Sequence, residues 1–419
     1  MRSAPTANLD QAASTPMRPE ALEAMTPFLA GSYGNPSGGH AAARAAKTAL
    51  EIAREEVAAA LGGQPDELVF TAGGTESDNL AVLGAARAAR AADRGDGVVT
   101  TAFEHKGVLA PCDRLEREGL RVQRVPVSAG GVVDLDALVE TLDERTVVVS
   151  VMLVNNEVGT IQPLDEVVRL VRAHAPNAVV HTDAVQGVPW LDVATAAAAV
   201  DLVTISAHKF GGPKGAGALL VRNKVPLESL IEGGGQERGL RAGTVNVAGA
   251  VATAAALRVT VATRDEELTR VAGLRDRLAG GITAAIPDCS FNGDAARKVE
   301  GNLHVAFGGV EAETLLVALD RRGVLAAAGS SCSSGATEPS HVLAAMGVPR
   351  DQALASIRLS LGFASTDADV DHALAVIPDV VAQLRHEGRR PSRARELAGA
   401  ASVPKGGAGN PGDERARPE

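Results

Sequence analysis

The sequence predicts an α/β protein whose larger domain is built on a mainly parallel β-sheet. Short apolar runs, typical of buried strands, alternate along the chain with segments whose apolar residues recur at helical spacing. Such alternation favours parallel strands joined by helices. Most of the apolar runs end in polar side chains, and ligands of parallel sheets bind at the carboxyl ends of the strands. The sheet edge where the strands end is therefore the first place to look for a functional site.

The predicted elements of the larger domain follow one another at short intervals. Strands are predicted at Pro65 to Thr71, Gly97 to Ala102, Arg121 to Val127, Thr146 to Val154, Ala178 to Thr182, Asp201 to Ile205 and Ala218 to Val221. Helices are predicted at Pro19 to Phe28, His40 to Leu61, Val108 to Glu118, Leu135 to Leu142 and Leu164 to Ala175, with one more after Gly73-Gly74.

A long helical region, roughly Val247 to Thr283, is predicted to connect the larger domain to a second, smaller α/β unit. That unit is expected to contain strands at Asn302 to Phe307 and Arg358 to Leu361, and helices at Ala312 to Arg321 and Asp367 to His386. From about Pro391 the composition turns to Ala, Gly, Pro and charged residues, which predicts a disordered tail. The expected division is an N-terminal segment packing with the small domain (1–16), a large domain (17–260), a small domain (261–390) and the tail (391–419).

Charge and composition exclude several classes of function. The 419-residue chain has a net charge of −10, which argues against nucleic acid as a partner. No run approaches the ~20 apolar residues of a membrane span, and the first residues lack the apolar region of a signal peptide. The three cysteines, Cys112, Cys289 and Cys332, are too few and too scattered for a disulfide framework or a four-cysteine metal site. We therefore expect a soluble cytoplasmic protein.

The strand Asp201 to Ile205 ends in Ser206, His208 and Lys209, and the glycine-rich segment Gly211 to Gly217 follows. A lysine held just past a buried strand suits Schiff-base chemistry, because only a neutral, partly dehydrated amine attacks a carbonyl. Taken alone, Lys209 fits a lysine in a solvated turn better than a catalytic one. The assignment depends on whether other segments bring matching groups to the same place.

Gly73 and Gly74 precede a predicted helix, and glycines at a helix N-terminus expose backbone N–H groups that can bind phosphate. Thr75 with Asp78 also fits a capping box, which is the structural interpretation of the same residues. Other polar groups that follow strands should converge on the same sheet edge. They are His105, Asn156, Asp183, Gln186, Ser206, His208 and Lys209.

Together these residues resemble the fold-type I pyridoxal-phosphate enzymes, and within them the cysteine desulfurases of the group that includes the nitrogen-fixation and iron–sulfur-assembly enzymes. The resemblance runs from Leu9 to about Leu384. It is carried by the segments Gly73 to Asn79, Glu104 to Lys106, Val154 to Thr160, His181 to Gln186, Ser206 to Lys209, Glu237 to Thr244, Gly329 to Gly335 and Ser356 to Gly362. It implies a mainly parallel seven-stranded sheet with a smaller α/β C-terminal domain, and pyridoxal 5′-phosphate as the cofactor.

The resemblance also implies a role for each residue of the site. Lys209 would form the Schiff base with the cofactor, Asp183 would keep the ring nitrogen protonated, and His105 would stack on the ring. Gln186 would bind the phenolate oxygen. Gly74, Thr75, Ser206 and His208 would bind the phosphate, with Thr244 lent by the other subunit of a homodimer. Arg358, with Asn156 nearby, would grip the substrate carboxylate.

Cys332 decides the reaction that the resemblance implies. A lone cysteine in a Gly/Ser segment is a poor core residue, whereas a reactive thiolate needs exposure. In the resembling enzymes such a cysteine takes sulfur from L-cysteine as a persulfide and releases L-alanine. The persulfide would pass to an acceptor protein, such as an iron–sulfur scaffold or a thiolation enzyme. No intrinsic metal site is expected, although Cys332 could ligate an iron–sulfur cluster transiently.

Two alternatives remain open at this point. A selenocysteine lyase or an aminotransferase would use the same fold, although transamination needs no thiol. A sulfur-relay scaffold with little activity of its own would dock acceptor proteins, although it would not need Lys209, Asp183 and Cys332. Cys112 is expected to be structural, and Cys289 carries no functional signal.

Overall fold

The computed structural model describes residues 6–329 and 338–389, with side chains described up to residue 387. Its strands are β1 (Ala7–Asn8), β2 (Leu68–Thr71), β3 (Gly97–Thr101), β4 (Arg121–Val125), β5 (Thr146–Ser150), β6 (Val179–Asp183), β7 (Leu202–Ser206), β8 (Gly217–Val221), β9 (Cys289–Asn292), β10 (Asn302–Phe307), β11 (Val324–Leu325) and β12 (Ser356–Ser360). Its α-helices are α1 (Pro19–Leu29), α2 (Ala41–Ala60), α3 (Gly74–Ala91), α4 (Lys106–Arg117), α5 (Leu135–Thr141), α6 (Leu164–His174), α7 (Val193–Ala196), α8 (Val247–Ala285), α9 (Ala312–Arg321), α10 (His341–Ala345), α11 (Arg350–Leu354) and α12 (Asp367–Arg389).

The larger sheet has seven strands in the order β2-β8-β7-β6-β5-β3-β4. The five strands from β7 to β4 run parallel, whereas β8 runs antiparallel to both of its neighbours. This confirms the predicted α/β class and the mainly parallel seven-stranded sheet. Because β3, β6 and β7 all end at the same edge, the polar residues that follow them come together there.

Helices cover both faces of this sheet, which explains why its inner strands are buried throughout. On one face Leu80 of α3 and Leu115 of α4 belong to the same buried cluster as Val148 of β5. On the other face Val57 of α2 clusters with Val149 of β5. Successive side chains of β5 thus enter opposite layers, as the pleat requires.

The smaller unit has its own core. Strands β12, β10 and β9 form an antiparallel three-stranded sheet, and its buried residues cluster with α9, α12 and the second half of α8. Ala7 and Leu9 join this cluster, and β1 pairs with β11 in parallel. Residues 7–9 therefore pack with the smaller unit.

Helix α8 is long and apolar enough to cross a membrane by length and composition alone. However, 61% of its most apolar 18-residue window is buried inside the protein, where it packs against α1 and α2. That burial is typical of the core helix of a soluble protein.

Three local predictions were wrong. The strand expected over Thr146 to Val154 ends at Ser150, although the Val151 and Leu153 N–H groups still donate to the His181 and Asp183 carbonyls of β6. The strand expected from Pro65 begins with a 3₁₀ turn and becomes extended only at Leu68. The capping box does not form, because α3 begins at Gly74 with Gly73 as its N-cap, which places Thr75 inside the first turn.

Candidate active site

A cavity of about 280 Å³ lies at the carboxyl edge of the larger sheet. The end of β6 supplies Asp183, and the end of β7 supplies Ser206, after which a 3₁₀ turn over Ala207–Lys209 carries the lysine. Ten of the residues proposed from the sequence line this one cavity. They are Gly74, Thr75, His105, Asn156, Asp183, Gln186, Ser206, His208, Lys209 and Arg358.

The amine of Lys209 is held by the N-terminal segment. Its Nζ donates to the carbonyl oxygens of Ala12 at 2.8 Å and Ala13 at 2.9 Å. The Gln186 side chain donates to the same Ala12 carbonyl at 2.9 Å. The lysine is half-buried, so its solvation is incomplete. The structure thereby favours a fixed amine in the cavity over a lysine in a solvated turn.

The start of α3 forms an anion-binding surface beside Ser206. Gly73 has a φ of 149°, which a residue with a side chain rarely adopts, and it provides no side chain to cap the helix. A Cβ atom on Gly74 would lie only 2.9 Å from Cγ2 of Val185, so the cavity wall needs glycine there. The first N–H groups of a helix lack intrahelical partners and attract anions.

His208 lies beside this surface as a neutral ring. Burial lowers its pKa to about 4, and the neighbouring Lys209 and Lys214 lower the pKa in the same direction. Its Nδ1 is 3.2 Å from Oγ of Ser14. A neutral imidazole can still donate one hydrogen bond to a phosphate oxygen.

Asp183 is buried at the end of β6, and its Oδ1 accepts a hydrogen bond from the Val185 N–H at 2.9 Å. Burial raises the pKa of this carboxyl, while the nearby His105 and Lys209 oppose the shift. A carboxylate in such a dry place gains most by pairing with a cation that enters the cavity.

His105 presents a neutral ring to the same space. Burial lowers its pKa below the ordinary value. Its Nδ1 accepts a hydrogen bond from the Gly107 N–H at 3.0 Å, which leaves the proton of the neutral ring on Nε2. A flat, uncharged ring fixed at the start of α4 suits stacking on an aromatic ligand.

Arg358 is buried on β12 and reaches the cavity from the smaller unit. One Nη atom donates to the Asn156 carbonyl at 2.7 Å and the other to Oδ1 of Asp10 at 2.8 Å. Its Nε and the Asn156 Oδ1 are buried and have no hydrogen-bond partner within the described part of the chain. A substrate carboxylate could accept hydrogen bonds from the Arg358 guanidinium by taking the place of the Asp10 carboxylate, whereas the Asn156 Oδ1 could accept one from a substrate N–H group.

Two further site residues were proposed from the sequence, Thr244 and Cys332. Thr244 is exposed and does not line the cavity of its own chain. Cys332 lies outside the described residues, as does the tail from 390 onwards. Cys112 is buried in the core beside α3, and burial raises the pKa of its thiol to about 12, which agrees with a structural role.

Sequence reasoning missed several cavity residues. The carbonyls of Ala12 and Ala13 carry no side-chain signal, and their contact with Lys209 spans almost two hundred positions. Met152 and Val185 line the cavity with ordinary apolar side chains. Asp78 also lines it, although the sequence indicated only a capping residue there.

These residues fit pyridoxal phosphate. The glycine-lined start of α3 accommodates the phosphate, Lys209 supplies an amine for the aldehyde, and Asp183 supplies a buried carboxylate for the ring nitrogen. The orphaned polar atoms of Asn156 and Arg358 mark the side where a further polar ligand is expected.

Comparison with known proteins agrees with this geometry. Residues 7–373 match the family described as Aminotransferase class-V. The chain is 41% identical over 379 residues to the cysteine desulfurase IscS of Clostridium botulinum, covering 90% of this chain and 94% of that protein. It is 45% identical over 384 residues to an IscS-like cysteine desulfurase of Mycobacterium tuberculosis, covering 90% of this chain and 97% of that protein.

Among solved structures, a NifS-like protein superimposes with a TM-score of 0.85 at 36% identity, covering 90% of this chain and all of the other. The residues matched by the family include all three sheets and the whole cavity. The chain therefore belongs to the aminotransferase class-V family.

Proposed function

We propose that the protein is a pyridoxal-phosphate-dependent cysteine desulfurase, which removes sulfur from L-cysteine and releases L-alanine. The observation that carries the proposal is the meeting of Lys209, Asp183 and the glycine-lined start of α3 in one cavity. The cysteine desulfurases to which the chain is similar over 90% of its length support the choice of substrate.

The bound cofactor supplies an electron sink, and the residues of the chain do the rest. Arg358 and Asn156 hold the carboxylate of L-cysteine, which orients the bond between its α-carbon and hydrogen toward Lys209. The Lys209 amine accepts the α-proton and later returns a proton to carbon. Asp183 would hold the protonated nitrogen of the ring, and the neutral side chain of His105 would stack on it.

We assign the sulfur-accepting step to the Cys332 thiolate. Its Sγ attacks the sulfur of the bound cysteine, and the bond between that sulfur and the β-carbon breaks. The electron pair of the broken bond stays with the carbon skeleton, which takes up a proton and leaves as L-alanine. The new sulfur–sulfur bond is the persulfide. The assignment is supported by the resemblance around Gly329 to Gly335.

We further propose that the enzyme acts as a homodimer and delivers its sulfur to an acceptor protein, either an iron–sulfur scaffold or a thiolation enzyme. The exposure of Thr244 supports the dimer, because the resemblance gives this residue a place in the partner subunit's cavity.

The cytoplasm is the fitting compartment, since its reducing conditions keep thiols available. Two separate buried cores support a division near residues 16 and 260.

The test is the Cys332→Ser variant incubated with L-cysteine and pyridoxal phosphate. We expect it to bind the cofactor and L-cysteine as wild type does, because the described cavity is unchanged. It should then form no alanine, because an alcohol is a far poorer nucleophile toward sulfur than a thiolate. Wild type without reductant should gain the mass of one sulfur atom on the peptide that contains Cys332.

The alternatives give different results in the same assay. An aminotransferase would convert a keto acid at an unchanged rate after Cys332→Ser. A selenocysteine lyase would release selenium from selenocysteine and transfer little sulfur even as wild type. Alanine formation by Cys332→Ser at the wild-type rate would exclude the proposed sulfur transfer.

A further inference from the structure

A second buried carboxyl group lies beside Asp183. Asp78, in the first turns of α3, is only 1% exposed and lines the same cavity. One carboxylate oxygen of Asp78, one of Asp183 and one ring nitrogen of His105 lie within 4.8 Å of one another. Asp78 does not cap its helix, so its position has no local structural explanation.

One oxygen of Asp78 lacks the partners that stabilise an ionised carboxylate. Its Oδ1 is buried and has no hydrogen-bond partner within residues 6–329 and 338–387. The ring of His181 is close, with its Nε2 at 3.6 Å from Oδ1 of Asp78. That histidine is not a cation, because burial lowers its pKa to about 3.

The neighbours of His181 are also neutral. Its Nδ1 is 2.8 Å from Oγ of Ser150, and its Nε2 is 3.0 Å from Oγ1 of Thr204. Asp183, by contrast, accepts a backbone N–H and has Lys209 nearby. If one negative charge occupies this space, it is more stable on Asp183 than on Asp78.

Two carboxyl groups this close in a dry interior do not both ionise readily, because each charge raises the cost of the other. Burial raises the pKa of Asp78 well above its ordinary value, and the charges of Asp183 and Glu104 raise it further. The Thr204 hydroxyl opposes this shift in part. The ionisable groups that face this region are Glu104, His105 and Lys106 at the start of α4, His181 and Asp183 on β6, Lys209 after β7, and His341 on α10.

We propose that Asp78 is a positioning residue that remains a neutral carboxylic acid at neutral pH and so leaves Asp183 as the one carboxylate beneath the cofactor ring. This rests on the proposed function, because the ring nitrogen is the cation that Asp183 would serve. A second carboxylate at Asp78 would compete for that nitrogen and pull the ring away from Lys209.

The carboxyl group of Asp78 packs closely against Gly107. A Cβ atom on Gly107 would lie 2.7 Å from Oδ2 of Asp78 and 3.0 Å from Nδ1 of His105. Asparagine has nearly the shape of the neutral acid and cannot ionise, so Asp78→Asn imitates the proposed state. Asp183→Asn is the matched control, because it removes the charge that the proposal assigns to the neighbouring carboxyl.

The first measurement is infrared spectroscopy of the cofactor-free proteins at pH 7. The wild-type spectrum minus the Asp78→Asn spectrum should contain the carbonyl stretching band of a protonated carboxylic acid. A carboxylate band in its place would overturn the proposal. Because no cofactor is present, this result does not depend on the proposed function.

The second measurement is chemical unfolding of the same cofactor-free proteins across a range of pH. An acid whose pKa is raised by folding stabilises the fold below its ordinary pKa and loses that contribution as the pH rises. The ratio of the folding equilibrium constant of Asp78→Asn to that of wild type should therefore rise by about tenfold for each pH unit above that ordinary pKa. A difference that does not vary with pH, or that favours wild type at higher pH, would contradict a neutral Asp78.

The third measurement is the binding of 4′-deoxypyridoxine 5′-phosphate, which has the ring and phosphate but no aldehyde. Asp78→Asn should bind it as wild type does. Asp183→Asn should bind about ten- to a hundredfold more weakly, because it loses a charge-assisted hydrogen bond. Equal weakening by both variants would overturn the role of Asp78. If Asp183→Asn binds normally, the cofactor placement of the proposed function fails, while the first two measurements still decide the state of Asp78.

Discussion

At the scale of single residues, the cavity depends on groups whose charge is changed by burial. Asp183 and Glu104 are carboxyl groups in a dry interior, and His105, His181 and His208 are rings kept neutral there. The amine of Lys209 donates to two backbone carbonyls. These hydrogen bonds help to fix the amine in the cavity.

Replacement of this amine is the most direct test of the site. Purified protein loaded with pyridoxal phosphate and treated with borohydride should carry the reduced cofactor on the peptide that contains Lys209. In Lys209→Ala the label should disappear, and turnover should fall by at least about 10²–10⁴-fold, the usual effect of losing a positioned acid–base group. Mass spectrometry and an alanine assay measure the two effects. The exposed Lys214→Ala is the matched control, and a label on Lys214 would contradict the assignment.

Glu104 should make the stability of the fold depend on pH. Burial raises its pKa from 4.5 to about 8, although hydrogen bonds from the Met152 N–H and the Thr101 hydroxyl oppose the shift. Its contribution is complete below pH 4.5 and is lost as the pH rises through about 8. We expect the free energy of unfolding of Glu104→Gln, relative to that of wild type, to rise by about 1.4 kcal/mol for each pH unit in this window. Urea unfolding measures it.

The control for this effect is Glu116→Gln. Hydrogen bonding to Arg124 lowers the pKa of Glu116, so its contribution changes only as the pH falls. The difference between Glu116→Gln and wild type should therefore stay constant above the ordinary pKa. A flat profile for Glu104→Gln as well would mean that Glu104 is ionised in the folded protein.

At the scale of elements, a loop covers the outer edge of β2, which lies at one end of the larger sheet. β2 pairs only with β8, and the Phe70 N–H on its other side donates to Oε2 of Glu237 at 2.7 Å. Glu237 forms a buried two-point ion pair with Arg54, at 2.6 and 2.8 Å, and Arg54 also donates to the Leu68 carbonyl. The loop that leads to Thr244 is thus attached to α2 and β2 together.

We expect Glu237→Ala to destabilise the fold by roughly 3–5 kcal/mol, because it leaves the Arg54 charge buried and the Phe70 N–H unpaired. Chemical denaturation measures the change. Glu56, which is also on α2, forms a solvent-exposed ion pair with Arg258 of α8. Glu56→Ala should lower the free energy of unfolding by no more than about 1 kcal/mol. Similar losses in the two variants would show that the buried pair is not what holds the loop.

At the scale of the whole molecule, the N-terminal segment joins the two units. β1 pairs with β11 and Leu9 enters the core of the smaller unit, while Thr15 binds the His208 backbone of the larger one. Between them, Ala12 and Ala13 hold Lys209. The position of the amine therefore depends on how the smaller unit anchors the chain.

Leu9→Ala should lower the free energy of unfolding by about 2–5 kcal/mol, because Leu9 is fully buried and its truncation leaves a cavity in the smaller core. Urea unfolding followed by circular dichroism measures it. Leu22→Ala, at a position 53% exposed on α1, should stay within about 0.5 kcal/mol of wild type. An equally small effect of Leu9→Ala would mean that the N-terminal segment is not held by that core.

Much of this architecture follows from local pattern. The alternation of apolar runs and helical periodicity was enough to predict the larger sheet, because both signals depend on residues a few positions apart. Polar side chains that follow parallel strands must meet at one edge, so seven cavity residues could be predicted from their sequence positions alone. The family resemblance added their roles and also brought in Arg358, which no local pattern placed at this edge.

The tertiary structure decided what depends on contacts between distant segments. No local pattern shows that the Ala12 and Ala13 carbonyls accept hydrogen bonds from Lys209. Nor does one show that the Asp10 carboxylate pairs with the guanidinium of Arg358. Asp78 looked like a capping residue in sequence, and only the packing of α3 against β6 and β7 placed its carboxyl beside Asp183. Sequence alone determined which chemical groups the protein has and the sheet edge where they gather. Folding determined their charge and their partners, because burial and hydrogen bonding are properties of the assembled interior.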